Sequence, residues 1–322
     1  MGRIMANQRQ QLEQWTTVVA DTGDMEMIAA LAPCDATTNP SLLLAAARDS
    51  RYQSLLTQAR SLAAEMGRGH DLTWCSDAYA CLAGQAVLEH VPGLVSTEVD
   101  ARLSFDTRAT VERARRLMAL YRELDVDPDR ILIKIAATWE GIEAARLLEE
   151  EGTRCNLTLV FSLAQALAAA EAGTTLISPF VGRIQDWHVK RGLDIQHIDD
   201  DPGVQSVCGI FRTLKARGLE TIVMGASFRN ADQIRALAGC DRLTISPALL
   251  ETLAADENPL TQALDAADVE PDEDWTPISE AGFRWAMNQD PMANDLLSDG
   301  IRRFAADQVA LETLLSEEER AA

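Results

Sequence analysis

A chain of 322 residues with 50 acidic and 29 basic side chains carries a formal charge of −21 at neutral pH. That balance disfavours nucleic acid and anionic membrane surfaces as partners, and any anionic substrate needs a local basic pocket. Hydrophobic residues at 47% and charged residues at 25% are the proportions of a water-soluble globular chain, long enough to bury a sizeable core.

The first 14 residues are polar, unlike a signal peptide, and are expected to form an N-terminal helix whose pattern is clearest over 8–15. A strand follows over 16–20, ending at Asp21-Thr-Gly-Asp24. A second short strand or turn runs through Cys34-Asp-Ala-Thr-Thr-Asn-Pro40, with Pro40 suited to the first turn of the helix over 41–47. Helical patterns fill 52–66 and 72–88. Residues 93–100 form the third strand. Thr107 is a plausible cap for the next helix, which lines one face with Val111, Ala114, Leu117 and Tyr121.

Pro128 breaks the pattern before the run Ile131-Leu-Ile-Lys134-Ile-Ala136, an apolar, β-branched fourth strand with a lysine in its middle. Ile142, Ala145 and Leu148 mark a helix. Residues 155–160 form the fifth strand, an alanine-rich helix covers 163–172, and 174–180 form the sixth strand. The polar stretch 189–201 is expected to be a long loop. After a helix over 204–217 come strands at 220–225 and 242–246. A loop-like region follows over 256–277, and a C-terminal helical segment begins at Pro291.

Eight strands alternating with helices imply an α/β protein with parallel strands. At this length a closed (β/α)8 barrel with additional N- and C-terminal helices is the natural architecture. The doubly wound alternative lacks its Gly-x-Gly-x-x-Gly turn. No composition break marks a linker, so one domain over 1–322 is expected, flanked by the N-terminal helix (1–14) and the C-terminal segment (291–322). No stretch approaches the roughly 18 apolar residues of a membrane span. The cysteines (34, 75, 81, 155, 208 and 240) contain no Cys-x-x-Cys pair and read as reduced packing residues of a cytoplasmic protein. The four histidines lack metal-ligand spacing, so no metal and no cofactor is expected.

Lys134 concentrates the chemistry. Burying an unpaired ammonium costs several kcal/mol or drives off its proton, and a neutral, desolvated lysine forms Schiff bases with carbonyl compounds. Alone in an apolar strand it reads as a snorkelling or salt-bridged side chain. If Lys134 points into the barrel, so do Leu132 and Ala136, with Ile131, Ile133 and Ile135 facing the helices. The same alternation places Asp21, Glu98, Thr158, Ser178 and Phe180 inside, late in their strands, where barrel functional residues gather.

The segment Lys134-Ile-Ala-Ala-Thr-Trp-Glu-Gly141 resembles the lysine motif of the transaldolases. The resemblance extends, in order, through Asp21-Thr-Gly-Asp24, Asp35-Ala-Thr-Thr-Asn-Pro-Ser41, Ser96-Thr-Glu-Val-Asp-Ala-Arg102 and Asn156-Leu-Thr158. It continues through Ile177-Ser-Pro-Phe-Val-Gly-Arg183, Met224-Gly-Ala-Ser-Phe-Arg-Asn230 and Asn288-Gln-Asp-Pro-Met292, covering roughly residues 15 to 315. It implies a metal-free transfer of a dihydroxyacetone unit. Sedoheptulose 7-phosphate or fructose 6-phosphate would be donors, and glyceraldehyde 3-phosphate and erythrose 4-phosphate acceptors, in the pentose phosphate pathway.

By that resemblance Lys134 attacks the donor ketone, and Asp21 moves the C4-hydroxyl proton. Glu98 and Thr158 hold a proton-shuttling water, and Asn39 and Ser178 bind hydroxyls of the three-carbon unit. Phe180 forms pocket wall, and Arg183, Ser227 and Arg229 take the phosphate. From the residues alone, the alternatives are a cap for Asp21 or Asn39, an ion pair with Lys134 or Arg102 for Glu98, and surface ion pairs for the arginines.

Related fructose 6-phosphate aldolases carry tyrosine and glutamine at the positions of Phe180 and Glu98, so these two residues favour transfer over free aldol addition. A non-catalytic sugar-phosphate-binding barrel is the other alternative. The resemblance also allows a homodimer. It departs at His188, where tyrosine is more usual, and over 189–201 and 256–277.

Overall fold

Eight parallel strands close into a barrel in sequential order, the last pairing with the first. They are β1 (Thr17–Asp21), β2 (Asp35–Thr37), β3 (Val95–Glu98), β4 (Ile131–Ala136), β5 (Cys155–Val160), β6 (Leu176–Pro179), β7 (Ile222–Gly225) and β8 (Arg242–Ile245). The computed structural model describes residues 6–321. The expected (β/α)8 barrel with extra helices at both ends is the fold observed.

Fourteen helices are present among the described residues. The first seven are α1 (Gln8–Leu12), α2 (Met25–Leu31), α3 (Pro40–Arg48), α4 (Ser54–Glu65), α5 (Leu72–Leu88), α6 (Thr107–Glu123) and α7 (Trp139–Glu150). They continue with α8 (Leu163–Glu171), α9 (Gly182–Val189), α10 (Pro202–Ala216), α11 (Ala231–Arg235), α12 (Pro247–Ala254), α13 (Glu280–Gln289) and α14 (Pro291–Ala321).

Several boundaries differ from expectation. The N-terminal helix is one short turn-and-a-half, and residues 1–5 of the expected 1–14 segment lie outside the described residues, as does residue 322 at the other end. Thr107 does not cap α6. Asp106 does, its carboxylate accepting from Ala109 N at 2.9 Å, while the Thr107 hydroxyl donates to the Glu140 carbonyl at 3.0 Å. α9 was not anticipated. It separates β6 from the expected 189–201 loop, in which only a 3-10 turn at Ile198–Asp200 is regular. The 256–277 stretch likewise holds only a 3-10 turn, at Ala266–Asp268. Four cysteines are buried as expected of packing residues, but Cys34 is exposed and Cys208 half-buried; none of the six is in a disulfide.

The inside–outside alternation of β4 is the expected one. Ile131, Ile133 and Ile135 are at most 1% exposed and pack against the helix layer, each worth about 1.5–3 kcal/mol. Leu132 joins Val19, Leu176 and Met224 in a separate apolar cluster within the barrel. Arg242 pairs with Asp35 at the N-terminal side of the strands. Polar contacts cross the lumen between Thr37 and Thr244 (3.1 Å) and from Ser96 through Asn156 to Ser178 (3.0 and 2.7 Å). With the lumen filled, a functional site on such a barrel is expected toward the C-terminal strand ends.

α14, 31 residues long and roughly 46 Å from end to end, lies across that end. It is tied to Trp187 through Asp295 (3.0 Å), to Ser41 through Asp307, to Ser76 through Gln308 (2.7 Å) and to Arg102 through Glu312. The helix therefore bridges elements that are far apart in the chain and roofs the site.

Candidate active site

Lys134 is 6% exposed. Register sets Glu98 beside it on β3 and Asn156 beside it on β5. Its Nζ donates to the Thr38 carbonyl at 3.2 Å and lies 3.3 Å from Glu98 Oε2. The second contact lacks hydrogen-bond geometry, and neither Glu98 Oε2 nor the fully buried Thr158 Oγ1 has a hydrogen-bond partner among the described residues. Buried polar atoms are rarely left so, and here one lies against the amine and the other belongs to a residue in the same cavity wall. Of the two ion-pair partners considered for Glu98, Lys134 is the one found; Arg102 is engaged by Asp100 at 2.6 Å and by Glu312.

Lys134 forms part of the wall of a cavity of about 160 Å³ with Asp21, Asn39, Thr158, Ser178 and Phe180. Asp21 closes β1 and accepts no hydrogen bond to its carboxylate among the described residues. The cap of α2 is Asp24 instead, with 3.0 and 3.2 Å bonds from Glu26 N and Met27 N. Burial pushes the Asp21 carboxyl above its ordinary value, partly offset by the charges of Lys134 and Arg183. The same cause raises Glu98, again offset chiefly by Lys134. Asn39 does cap α3, accepting from Leu42 N at 2.9 Å, and lines the cavity as well. One side-chain oxygen is thus committed while its amide NH2 remains for a ligand. The Ser178 hydroxyl donates to Asn156, which leaves its lone pairs for a ligand.

The mouth of the cavity is basic. Arg183 sits in the first turn of α9, with its guanidinium 4.9 Å from the Phe180 ring and 5.7 Å from that of Phe304. It makes no ion pair or hydrogen bond among the described residues. Burial, and then the neighbouring Arg303 and Arg229, hold it below the usual arginine value. Such a side chain lacks an anion.

Arg229 is in the ion pair that the residues alone allow for it, while still lining the cavity. Its Nε and Nη2 edge is taken by Asp186, at 2.8 Å for the shortest contact, and its Nη1 reaches Ser227 Oγ at 3.3 Å. Only part of its fork faces the cavity. Gly182 permits this arrangement: a Cβ there would lie 2.3 Å from the Ser227 carbonyl and 2.7 Å from Arg229 Cγ. Ser227 itself adopts a left-handed φ of 65°.

Arg183 and Arg229 also border an adjoining basin of about 400 Å³, where Lys190, Arg191, Arg302 and Arg303 outnumber the acidic Asp186, Asp295 and Asp299. A local basic region therefore exists on this acidic chain.

Phe304, 2% exposed, is a cavity residue that the sequence pattern did not single out. It arrives on α14, about 170 residues from Lys134, and no motif near it points to the site. Thr37 and Thr244, also in the wall, carry no separate signal because a hydroxyl in a strand is ordinary.

No group of three or more His, Cys, Asp or Glu among the described residues is arranged to hold a metal ion. No described helix is long and apolar enough to cross a membrane.

Fold and site together define a (β/α)8 enzyme built on a buried strand lysine, with carboxyl groups beside the amine and an arginine-lined entrance. Residues 18–315 match the transaldolase/fructose-6-phosphate aldolase family, and the chain belongs to that family. It is 55% identical over 312 residues to a protein named transaldolase from Marinobacter nauticus, covering 96% of this chain and 97% of the other. A transaldolase of Pseudoalteromonas atlantica is 56% identical over 316 residues, 97% and 99% of the two chains. One from Bos taurus is 54% identical over 321 residues, 97% and 94%.

Proposed function

We infer that this protein is a transaldolase. It moves a dihydroxyacetone unit from sedoheptulose 7-phosphate to glyceraldehyde 3-phosphate, giving erythrose 4-phosphate and fructose 6-phosphate. The observation that carries this is Lys134, a buried amine on the cavity wall with a carboxyl group 3.3 Å away.

The residues take these parts in our proposal. Lys134 Nζ adds to the donor ketone carbon. Glu98 and Thr158, through their unpartnered oxygens, pass the protons that turn the carbinolamine into an iminium and release water. Asp21 accepts the C4-hydroxyl proton as the C3–C4 bond breaks; the bond's electrons flow into the iminium and the aldehyde leaves. The enamine then adds to the acceptor aldehyde, Asp21 returns its proton to the new hydroxyl, and hydrolysis frees Lys134. Asn39 and Ser178 hold hydroxyls of the three-carbon unit, and Phe180 closes the wall. Arg183 takes the terminal phosphate, with Ser227 and the free edge of Arg229 assisting. The iminium is the electron sink, so the proposal needs neither metal nor cofactor. We further propose that the chain works as a single domain in the cytoplasm and pairs as a homodimer.

The test is to incubate the protein with fructose 6-phosphate, add borohydride and map the adduct by mass spectrometry. The expected result is modification at Lys134 with loss of activity. Lys134→Ala should lose both adduct and turnover while keeping its circular dichroism spectrum. An adduct on another lysine, or full activity in the alanine variant, would sink the mechanism. Transfer is separated from simple aldol cleavage by adding erythrose 4-phosphate: sedoheptulose 7-phosphate should form, with little free dihydroxyacetone.

A further inference from the structure

β5 carries one residue more than β6 beside it. Leu157 pairs with Ile177 and Val160 with Pro179, so Thr158 and Leu159 together oppose Ser178. Such bulges re-aim side chains next to active sites. Leu159 absorbs the excess at φ 56°. A left-handed conformation costs a residue with a Cβ about 1–2 kcal/mol and persists only where the surroundings enforce it.

Two contacts enforce it. Gln165 Nε2 donates to the carbonyls of Leu159 (3.0 Å) and Ala137 (2.9 Å), fixing the backbone from the α8 side. From the other side, the fully buried Leu159 side chain lies against Gly300 in α14. A Cβ at position 300 would stand 2.7 Å from Leu159 Cδ2 and 2.9 Å from Cδ1. Glycine inside a helix is about 1 kcal/mol less favourable than alanine, so propensity does not explain Gly300. The close approach to Leu159 does.

We propose that Gly300 is a positioning residue for the reaction: its missing side chain lets α14 seat against Leu159, and that contact holds the bulge aiming the Thr158 hydroxyl into the cavity beside Lys134. The roof helix thereby does more than cover the site. It sets the geometry of a residue on the opposite side of the chain's connectivity, through one apolar contact. The inference rests on the assignment of Thr158 to proton transfer during Schiff-base formation. Arg183 Nη1 would be 3.4 Å from the same Cβ, an ordinary van der Waals distance, so the anion-binding side chain is not displaced.

The experiment uses the parent, Gly300→Ala, Leu159→Gly and the double variant. Each is assayed for the rate of Lys134 trapping by borohydride at saturating fructose 6-phosphate, for competitive inhibition by inorganic phosphate, and for Tm. Gly300→Ala should slow trapping on the order of 10- to 100-fold, the cost of a small misplacement near reacting groups. Phosphate inhibition should be unchanged, and Tm should not fall in proportion. Glycine at 159 adopts the left-handed conformation freely and vacates the space that alanine at 300 needs. In that background Gly300→Ala should therefore have no further effect.

Trapping at the parental rate in Gly300→Ala overturns the proposal even if Leu159→Gly fails to fold. So does an equal slowing by Gly300→Ala in the Leu159→Gly background, because the effect would not then pass through Leu159. No adduct in the parent would refute the Schiff-base mechanism instead, so the two failures are distinguishable.

Discussion

Arg183→Leu separates substrate recognition from chemistry. The side chain is half-buried, packs on Phe180 and Phe304, and has no anionic partner among the described residues. Only the more distant charges of Asp299 and Glu98 act on it favourably, against Arg303 and Arg229, and a bound phosphate would supply the missing direct partner. A hydrogen bond to a charged group is worth about 1.5–3 kcal/mol, and each 1.4 kcal/mol is a factor of ten. The loss in kcat/KM for fructose 6-phosphate should therefore be at least about 10- to 150-fold. Unphosphorylated fructose, a poor donor in either protein, should be little affected.

The assay is kcat/KM for the two donors with glyceraldehyde as a common, unphosphorylated acceptor. Removing an unpaired cation should leave the fold intact, with a Tm change smaller than about 4 °C. Equal losses for both donors would mean that Arg183 supports the catalytic centre or the fold, and the phosphate assignment would have to be dropped. Arg229→Leu is the informative comparison. It removes one phosphate contact but also frees Asp186 at the entrance, and Asp186→Asn in the same protein should recover part of the loss.

Other outcomes follow from the same geometry. Glu98→Gln should slow Lys134 trapping by about 10²–10⁴-fold, whereas Asp21→Asn should still allow trapping but abolish cleavage of the adduct; the reverse pattern would exchange their roles. Burial raises both carboxyls, and each must be ionised to accept a proton. Parental kcat/KM should thus fall as pH drops through values above the ordinary carboxylate range, and an acidic limb at or below pH 4 would contradict the burial. Asp77, buried with Arg113 at 2.9 Å and Arg116 at 3.1 Å, joins α5 to α6. Asp77→Ala leaves the buried Arg113 with only the Asp100 carboxylate, 3.9 Å away, and should cost up to about 3–5 kcal/mol in urea unfolding. Asp106→Ala should cost about 1 kcal/mol as a lost cap, and Thr107→Ala less. EDTA should leave turnover unchanged; loss restored by zinc would reverse the metal-free assignment.

The order of the eight strands was legible in the chain, because alternation and apolar runs such as that of β4 are local patterns, whereas short helices such as α9 and α11 carry too few turns to show a period. Parity in the sequence grouped Leu132, Lys134 and Ala136 on one face of β4 and, given that this face is inward, placed Asp21, Glu98, Thr158, Ser178 and Phe180 inside; barrel closure settles which face is inward. The partner of each charge was not legible there. Glu98 lies against Lys134 and not Arg102, and Arg229 is held by Asp186, because ion pairing depends on distances between segments that only closure of the barrel fixes. The cap of α6 fell to Asp106 over Thr107 by a single residue, a difference of φ and ψ that composition does not encode. Phe304, Gly300 and the bulge at Leu159 were decided by tertiary structure alone. They meet because α14 crosses the barrel mouth, and a contact between residues more than 140 positions apart leaves no periodic trace in either segment.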